Sequence, residues 1–127
     1  SKVNDRREAH SKDMKARTKP GAMSSKEDIA KRDALDKEYG ETLEQAREPY
    51  EKVAAIFANK VKQENELEMR DKQQYKKAVS YLADIFAFKR AMAKGKPADQ
   101  AKYYTKKKKW TDAYDAINLI KEKKRDH

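Results

Sequence analysis

Tyr75-Lys76-Lys77-Ala78-Val79-Ser80-Tyr81-Leu82-Ala83-Asp84-Ile85-Phe86 is the stretch on which the fold turns. Tyr75, Ala78, Val79, Leu82, Ile85 and Phe86 recur at steps of three and four, which lines up one face of an α-helix. Leu67 and Met92 extend the same stripe in both directions. The spacing predicts a helix that starts near Glu66 and stops at Lys94-Gly95-Lys96-Pro97. Gly95 can take the left-handed conformation at a helix end, and Pro97 suits the first position of the next helix.

Reading outward, Ala101, Tyr104, Trp110, Ala113, Ile117 and Ile120 predict a helix from Pro97 to about Lys124. Upstream, the polar segment Lys62 to Asn65 reads as a turn or, since it contains no Gly or Pro, equally as continuous helix. Before it, Tyr50, Val53, Ala54, Ile56, Phe57 and Val61 have a helical period. Pro49 removes an N–H and crowds the preceding turn, so a kink or break is expected there. An earlier helix carries Ile29, Leu35, Tyr39 and Leu43. Its start is marked by Ser24 with Glu27 or Ser25 with Asp28, each a capping-box pair. Residues 1–23 have no durable apolar period, and Lys19-Pro20-Gly21 reads as a loop. The expectation is an all-α chain: a disordered or partner-ordered basic arm over 1–23, then three to five helices over 24–127. Short links make neighbouring helices antiparallel.

Charged residues make up 43% and hydrophobic residues 37% of the 127 positions, against about 25% and 45–50% in an average globular domain. With three glycines and three prolines, turns are scarce, which argues against an all-β domain. No cysteine is present, so disulfides and thiolate metal sites are excluded. No apolar run reaches the roughly 18 residues of a membrane span. The chain opens on Ser1 rather than Met, as a processed form or excised fragment would.

The net charge of +10 is uneven: residues 1–23 hold seven Lys/Arg and three acids, and residues 93–127 hold eleven and five. Residues 24–92 hold fourteen of each. Basic ends suit contact with nucleic acid, an acidic protein or an anionic surface, and they also suit a merely solvated exterior. Lys106-Lys107-Lys108-Lys109 is the densest basic cluster. Four consecutive helical residues point to all sides, so at least one must lie near the apolar stripe and snorkel.

The signatures of catalysis are missing. His10 and His127 both fall in terminal regions and are not expected to be held in place. Carboxylates have cations within a helical turn or so, as in Glu44/Arg47, Glu48/Lys52 and Asp84/Lys89, and read as exposed ion pairs. Phosphate loops, nucleophile elbows and zinc-protease motifs do not occur. No cofactor is implied.

Two segments share a pattern: Tyr75-x-x-Ala78-x-x-x-Leu82-x-x-Ile85 and Trp110-x-x-Ala113-x-x-x-Ile117-x-x-Ile120, with Trp110 lying 35 residues after Tyr75. Tetratricopeptide repeats have a period of about 34 residues, with a small residue that lets helices approach and a large one beside it. Together with Arg47-Glu48-Pro49-Tyr50-Glu51-Lys52-Val53, Gln74 to Leu82 and Lys109 to Tyr114, the stretch from Tyr39 to Ile120 resembles divergent tetratricopeptide-repeat proteins, particularly extracytoplasmic ones of Bacteroidetes-type bacteria. The resemblance implies helical hairpins, a scaffold that holds peptides or helices of other proteins, and a periplasmic or extracytoplasmic location. An ordinary helical bundle with a chance echo is the alternative.

Tyr81, Phe88, Tyr103 and Tyr114 sit off the apolar stripes and are the expected aromatic anchors for a protein partner. Lys102, Lys106, Lys107 and Lys109 complete the candidate contact set. The first functional expectation is a non-enzymatic scaffold or complex subunit. The second is a basic subunit binding nucleic acid through residues 1–23 and 102–109. A sustained coiled coil is disfavoured by Gly40, Pro49 and Gly95 to Pro97.

Overall fold

The structure is a computed structural model that describes residues 1–19 and 21–124. Its helices are α1 (Lys2–Arg17), α2 (Lys26–Glu64), α3 (Met69–Met92) and α4 (Pro97–Asn118). Two short strands, β1 (Glu66–Leu67) and β2 (Lys121–Glu122), complete the described elements. The chain is thus all-α. It divides into two compact units, Ser1–Leu43 and Glu44–His127.

In the second unit the stripe that opened the sequence reading becomes the core. Ala78, Val79, Leu82, Ala83, Ile85 and Phe86 of α3 are buried with Ala54 and Phe57 of α2, Leu67 of β1 and Ile117 of α4. Fully burying each Leu, Ile or Phe contributes about 1.5–3 kcal/mol. Side-chain pairs fix the direction of the helices. Tyr50 stacks on Tyr81, Phe57 on Tyr75, and Lys60 bonds Asp71, so α2 and α3 run antiparallel. Phe86 with Tyr103 and Lys76 with Tyr114 set the same relation between α3 and α4, the most extensively packed pair. The 35-residue echo from Tyr75 to Trp110 therefore relates the two arms of one hairpin.

The ends of these helices are closed by identifiable groups. Asn65 takes a left-handed φ of 57° just after α2, a conformation Asn tolerates better than most residues. Gly95 does the same at φ 88° between α3 and α4. The last turn of α4 holds no basic residue. Lys72 of α3 stands there instead: its ammonium donates to Asn118 O, on the last residue of α4, at 3.3 Å and to Ile120 O just beyond it at 2.9 Å. A cation there suits the negative end of the helix dipole. Beyond it, β2 pairs in parallel with β1, Glu66 opposite Lys121. The Lys123 N–H donates to Leu67 O at 2.7 Å, which extends the clasp by one bond.

In the first unit the arm expected to be disordered or partner-ordered over 1–23 holds a helix, α1. Ser1 caps α1 by accepting from the Asn4 N–H, and Arg6–Glu38, Arg7–Asp36 and Arg17–Asp28 ion pairs hold α1 antiparallel to α2. Arg7 also lies over the Tyr39 ring at 4.4 Å. His10, expected to be loose, is only 5% exposed. Its Nε2 is 3.0 Å from the Asp28 carbonyl oxygen; a carbonyl only accepts, so Nε2–H is the donor. The inward row of α1 is Val3, Arg7, His10 and Met14. Its spacing is helical, but two of its members are polar, and a purely apolar period could not reveal it.

Other expectations change in detail. Of the two proposed caps, Ser25 is used: its hydroxyl accepts from the Asp28 N–H at 3.1 Å. The second half of that box is absent because the Asp28 carboxylate turns to Arg17. α2 runs unbroken through Pro49, which lies on an exposed side of the helix. Of the two readings of Lys62 to Asn65, continuous helix holds as far as Glu64. α4 ends at Asn118 rather than near Lys124, because Lys72 and the β1–β2 pairing take over its terminus. Ile56 and Met92, expected inside, are exposed. His127 and Pro20 lie outside the described residues.

Candidate functional site

The buried side of α4 keeps Trp110, Ala113, Ile117 and Ile120 of the expected stripe, but in its first half it turns Tyr103 inward in place of Ala101 and Tyr104. Tyr104 is accordingly 49% exposed, with the Arg90 guanidinium 4.9 Å from its ring centre. The shift turns Tyr103 and Tyr114, expected outside, to half-buried positions, and Phe88 is half-buried too. Of the four proposed aromatic anchors only Tyr81 is exposed, at 44%. It lies almost parallel to Tyr50, 4.8 Å between centres and 7° between planes.

The same phase places Lys102, Lys106 and Lys109 in one row, since helical residues at i, i+4 and i+7 share a face. Lys106 Nζ stands 5.4 Å from the Phe86 ring centre and Lys102 Nζ 5.9 Å from that of Tyr103. Lys109 Nζ is 4.7 Å from the Trp110 ring. From α3, Lys89 reaches both Phe86 at 5.5 Å and Tyr103 at 5.9 Å. Each lies within the roughly 6 Å over which a ring face attracts a cation, an interaction of about 0.5–1 kcal/mol at exposed sites. The structure thus joins Lys102, Lys106, Lys109 and Tyr103 of the expected set with Phe86, Lys89 and Arg90, which the sequence reading left out. The available signal was the step of three from Phe86 to Lys89. Lys107 is the half-buried member of its run, the one forced toward the stripe.

The charges on this face are unbalanced. Lys102, Lys106, Lys107, Lys108 and Lys109 form no ion pair among the described residues. Lys89 does: it pairs with Glu44 rather than the expected Asp84, and Arg47 also bonds Glu44 at 2.7 Å. Hydrogen bonding from Lys89, then from Arg47, holds the Glu44 carboxyl below its ordinary range. Arg47 is raised in turn, chiefly by its bond to Glu44 and also by Glu51. Tyr81 and Tyr114 lie apart from the lysine row; Tyr114 has Lys76 over its ring at 5.1 Å. Among the described residues no cluster of His, Asp or Glu is arranged to hold a metal ion, and no helix is long and apolar enough to cross a membrane.

Comparison of the chain with protein-family models, with curated proteins and with solved structures gives no match.

Proposed function

We propose that this chain is a non-enzymatic interaction module, a scaffold or complex subunit, whose α3–α4 face holds an acidic segment of a protein partner. The observation that carries the reading is the row of uncompensated lysines on α4, steadied over aromatic rings. Ammonium groups already placed lose less freedom when a carboxylate arrives, which favours binding. Seven residues separate Lys102 from Lys109, about 10 Å along a helix, which matches two turns of a facing helix with acids at the same spacing.

An acidic protein is favoured over nucleic acid by the state of the rings. Sequence-tolerant binding of single strands relies on bases stacking on open aromatic faces. Here Phe86 and Tyr103 each have two ammonium groups set over them. The non-enzymatic reading draws on the carboxylates, since Asp28 and Glu44 are held down by cations, whereas a general acid needs its pKa raised. The reading shares with tetratricopeptide-like scaffolds the use of helical hairpins to present side chains, and does not depend on membership of that family.

The test is fluorescence anisotropy with a glutamate-rich helical peptide and a single-stranded oligonucleotide, each titrated at low and moderate salt. Three exposed ion pairs at roughly 0.2–1 kcal/mol each predict about a tenfold loss of peptide affinity in a Lys102→Gln, Lys106→Gln, Lys109→Gln variant. Tighter binding of the oligonucleotide than of the peptide, with a steep salt slope, would overturn the reading in favour of nucleic acid.

A further inference from the structure

We infer that the first unit carries a binding cavity for a small carboxylate with an apolar tail. Between α1, the loop after it and the start of α2 lies a cavity of about 740 Å³, within the range of roughly 300–1,000 Å³ typical of small-molecule sites. Met14, Leu35 and Ala22 supply apolar wall, and the ring of the buried His10 forms another side.

The charges around the cavity do not cancel. Arg7 and Asp36 both line it, but they satisfy each other at 2.8 Å, and Arg7 also bonds Asn4. That leaves Lys15, Lys19 and Arg32 against Glu8 alone. Lys15 and Lys19 form no ion pair among the described residues, and Arg32 is engaged only with the neighbouring Asp33 at 3.2 Å. The ammonium groups of Lys15 and Lys19 beside the apolar wall of Met14, Ala22 and Leu35 select a ligand that is anionic at one end and apolar along the rest. A neutral or cationic molecule of the same shape would leave the ammonium groups without a partner. This site lies within residues 4–36 and is separate from the lysine row of α4.

The experiment is an NMR titration of the whole chain with sodium octanoate, and with octylammonium as the control of opposite charge. The expected result is saturable binding of octanoate that shifts the His10 imidazole, Met14 methyl and Leu35 methyl signals. Octylammonium should bind about tenfold more weakly, a difference of about 1.4 kcal/mol. Lys15→Gln with Lys19→Gln should reduce octanoate affinity severalfold. Both lysines are exposed, so the variant keeps its helix content, which circular dichroism verifies. Equal binding of the two ligands would overturn the inference. So would unsaturated binding at millimolar octanoate, an affinity unmoved by the double variant, or shifts confined to α3 and α4.

Discussion

Replacing Lys72 by Met isolates the group that closes the end of α4. The methionine retains most of the buried stem, so what is removed is the ammonium. That group donates to Ile120 O at 2.9 Å and Asn118 O at 3.3 Å and lies 3.8 Å from Glu122, with its side chain 14% exposed. A hydrogen bond to a charged group contributes about 1.5–3 kcal/mol; the longer second bond and the favourable helix end add to it, while partial exposure subtracts. The expected loss is about 2–3 kcal/mol, or a fall in Tm of about 10–20 °C for a unit of this size. Urea unfolding followed by far-ultraviolet circular dichroism measures it. Hydrogen exchange locates it: the Lys123 amide, bonded to Leu67 O, should lose protection while amides in the middle of α3 keep theirs relative to global unfolding. A change under about 0.5 kcal/mol, with Lys123 still protected, would refute the claim that α4 is capped from another helix.

Four further outcomes are expected. Leu82→Ala, at a side chain with no exposed surface, should cost about 2–5 kcal/mol in urea unfolding. Gly95→Ala meets no neighbouring atom but keeps a φ of 88°, so its cost is backbone strain alone, about 1–2 kcal/mol, read by the same assay. Tyr81→Ala removes the ring stacked on Tyr50, apart from the lysine row, and should leave affinity for the acidic peptide unchanged and the chain folded; weakened peptide binding would bring Tyr81 into the contact surface. Acid should loosen α1. Asp28 is held below its ordinary pKa, first by hydrogen bonding from Arg17 and then from Ser25, against some desolvation. Its contribution is therefore full above the unfolded carboxylate value of about 4 and is lost as pH falls through the lower folded value. His10 side-chain NMR signals should report that release, and Arg17→Ala should remove much of the pH dependence.

The parts of the fold that depend on apolar side chains were open to sequence reading, and the parts that depend on polar ones were not. α3 was legible because Ala78, Val79, Leu82, Ile85 and Phe86 mark one face without ambiguity. α1 was not, because its inward row includes Arg7 and His10, whose partners Asp36 and the Asp28 carbonyl lie about twenty to thirty residues away, beyond any local period. On α4 the stripe from Trp110 to Ile120 was legible, but the four consecutive lysines before it carry no apolar marker, so Tyr104 was placed inside where Tyr103 belongs. The β1–β2 pair left no local sign either, since a two-residue strand has no period to read.

That clasp has a kinetic meaning. It joins Glu66 to Lys121 across a long stretch of chain, whereas α3 and α4 meet through a short connection and close cheaply. The loop-closure cost of the clasp falls once the hairpin has brought those ends together, so the clasp is expected to form after the hairpin, late in folding. Contacts made after the transition state govern how slowly a structure comes apart more than how fast it assembles. Residues 121–123 thus act as a latch on the lifetime of the second unit: weakening them should shorten its residence in the folded state while its folding rate stays nearly the same.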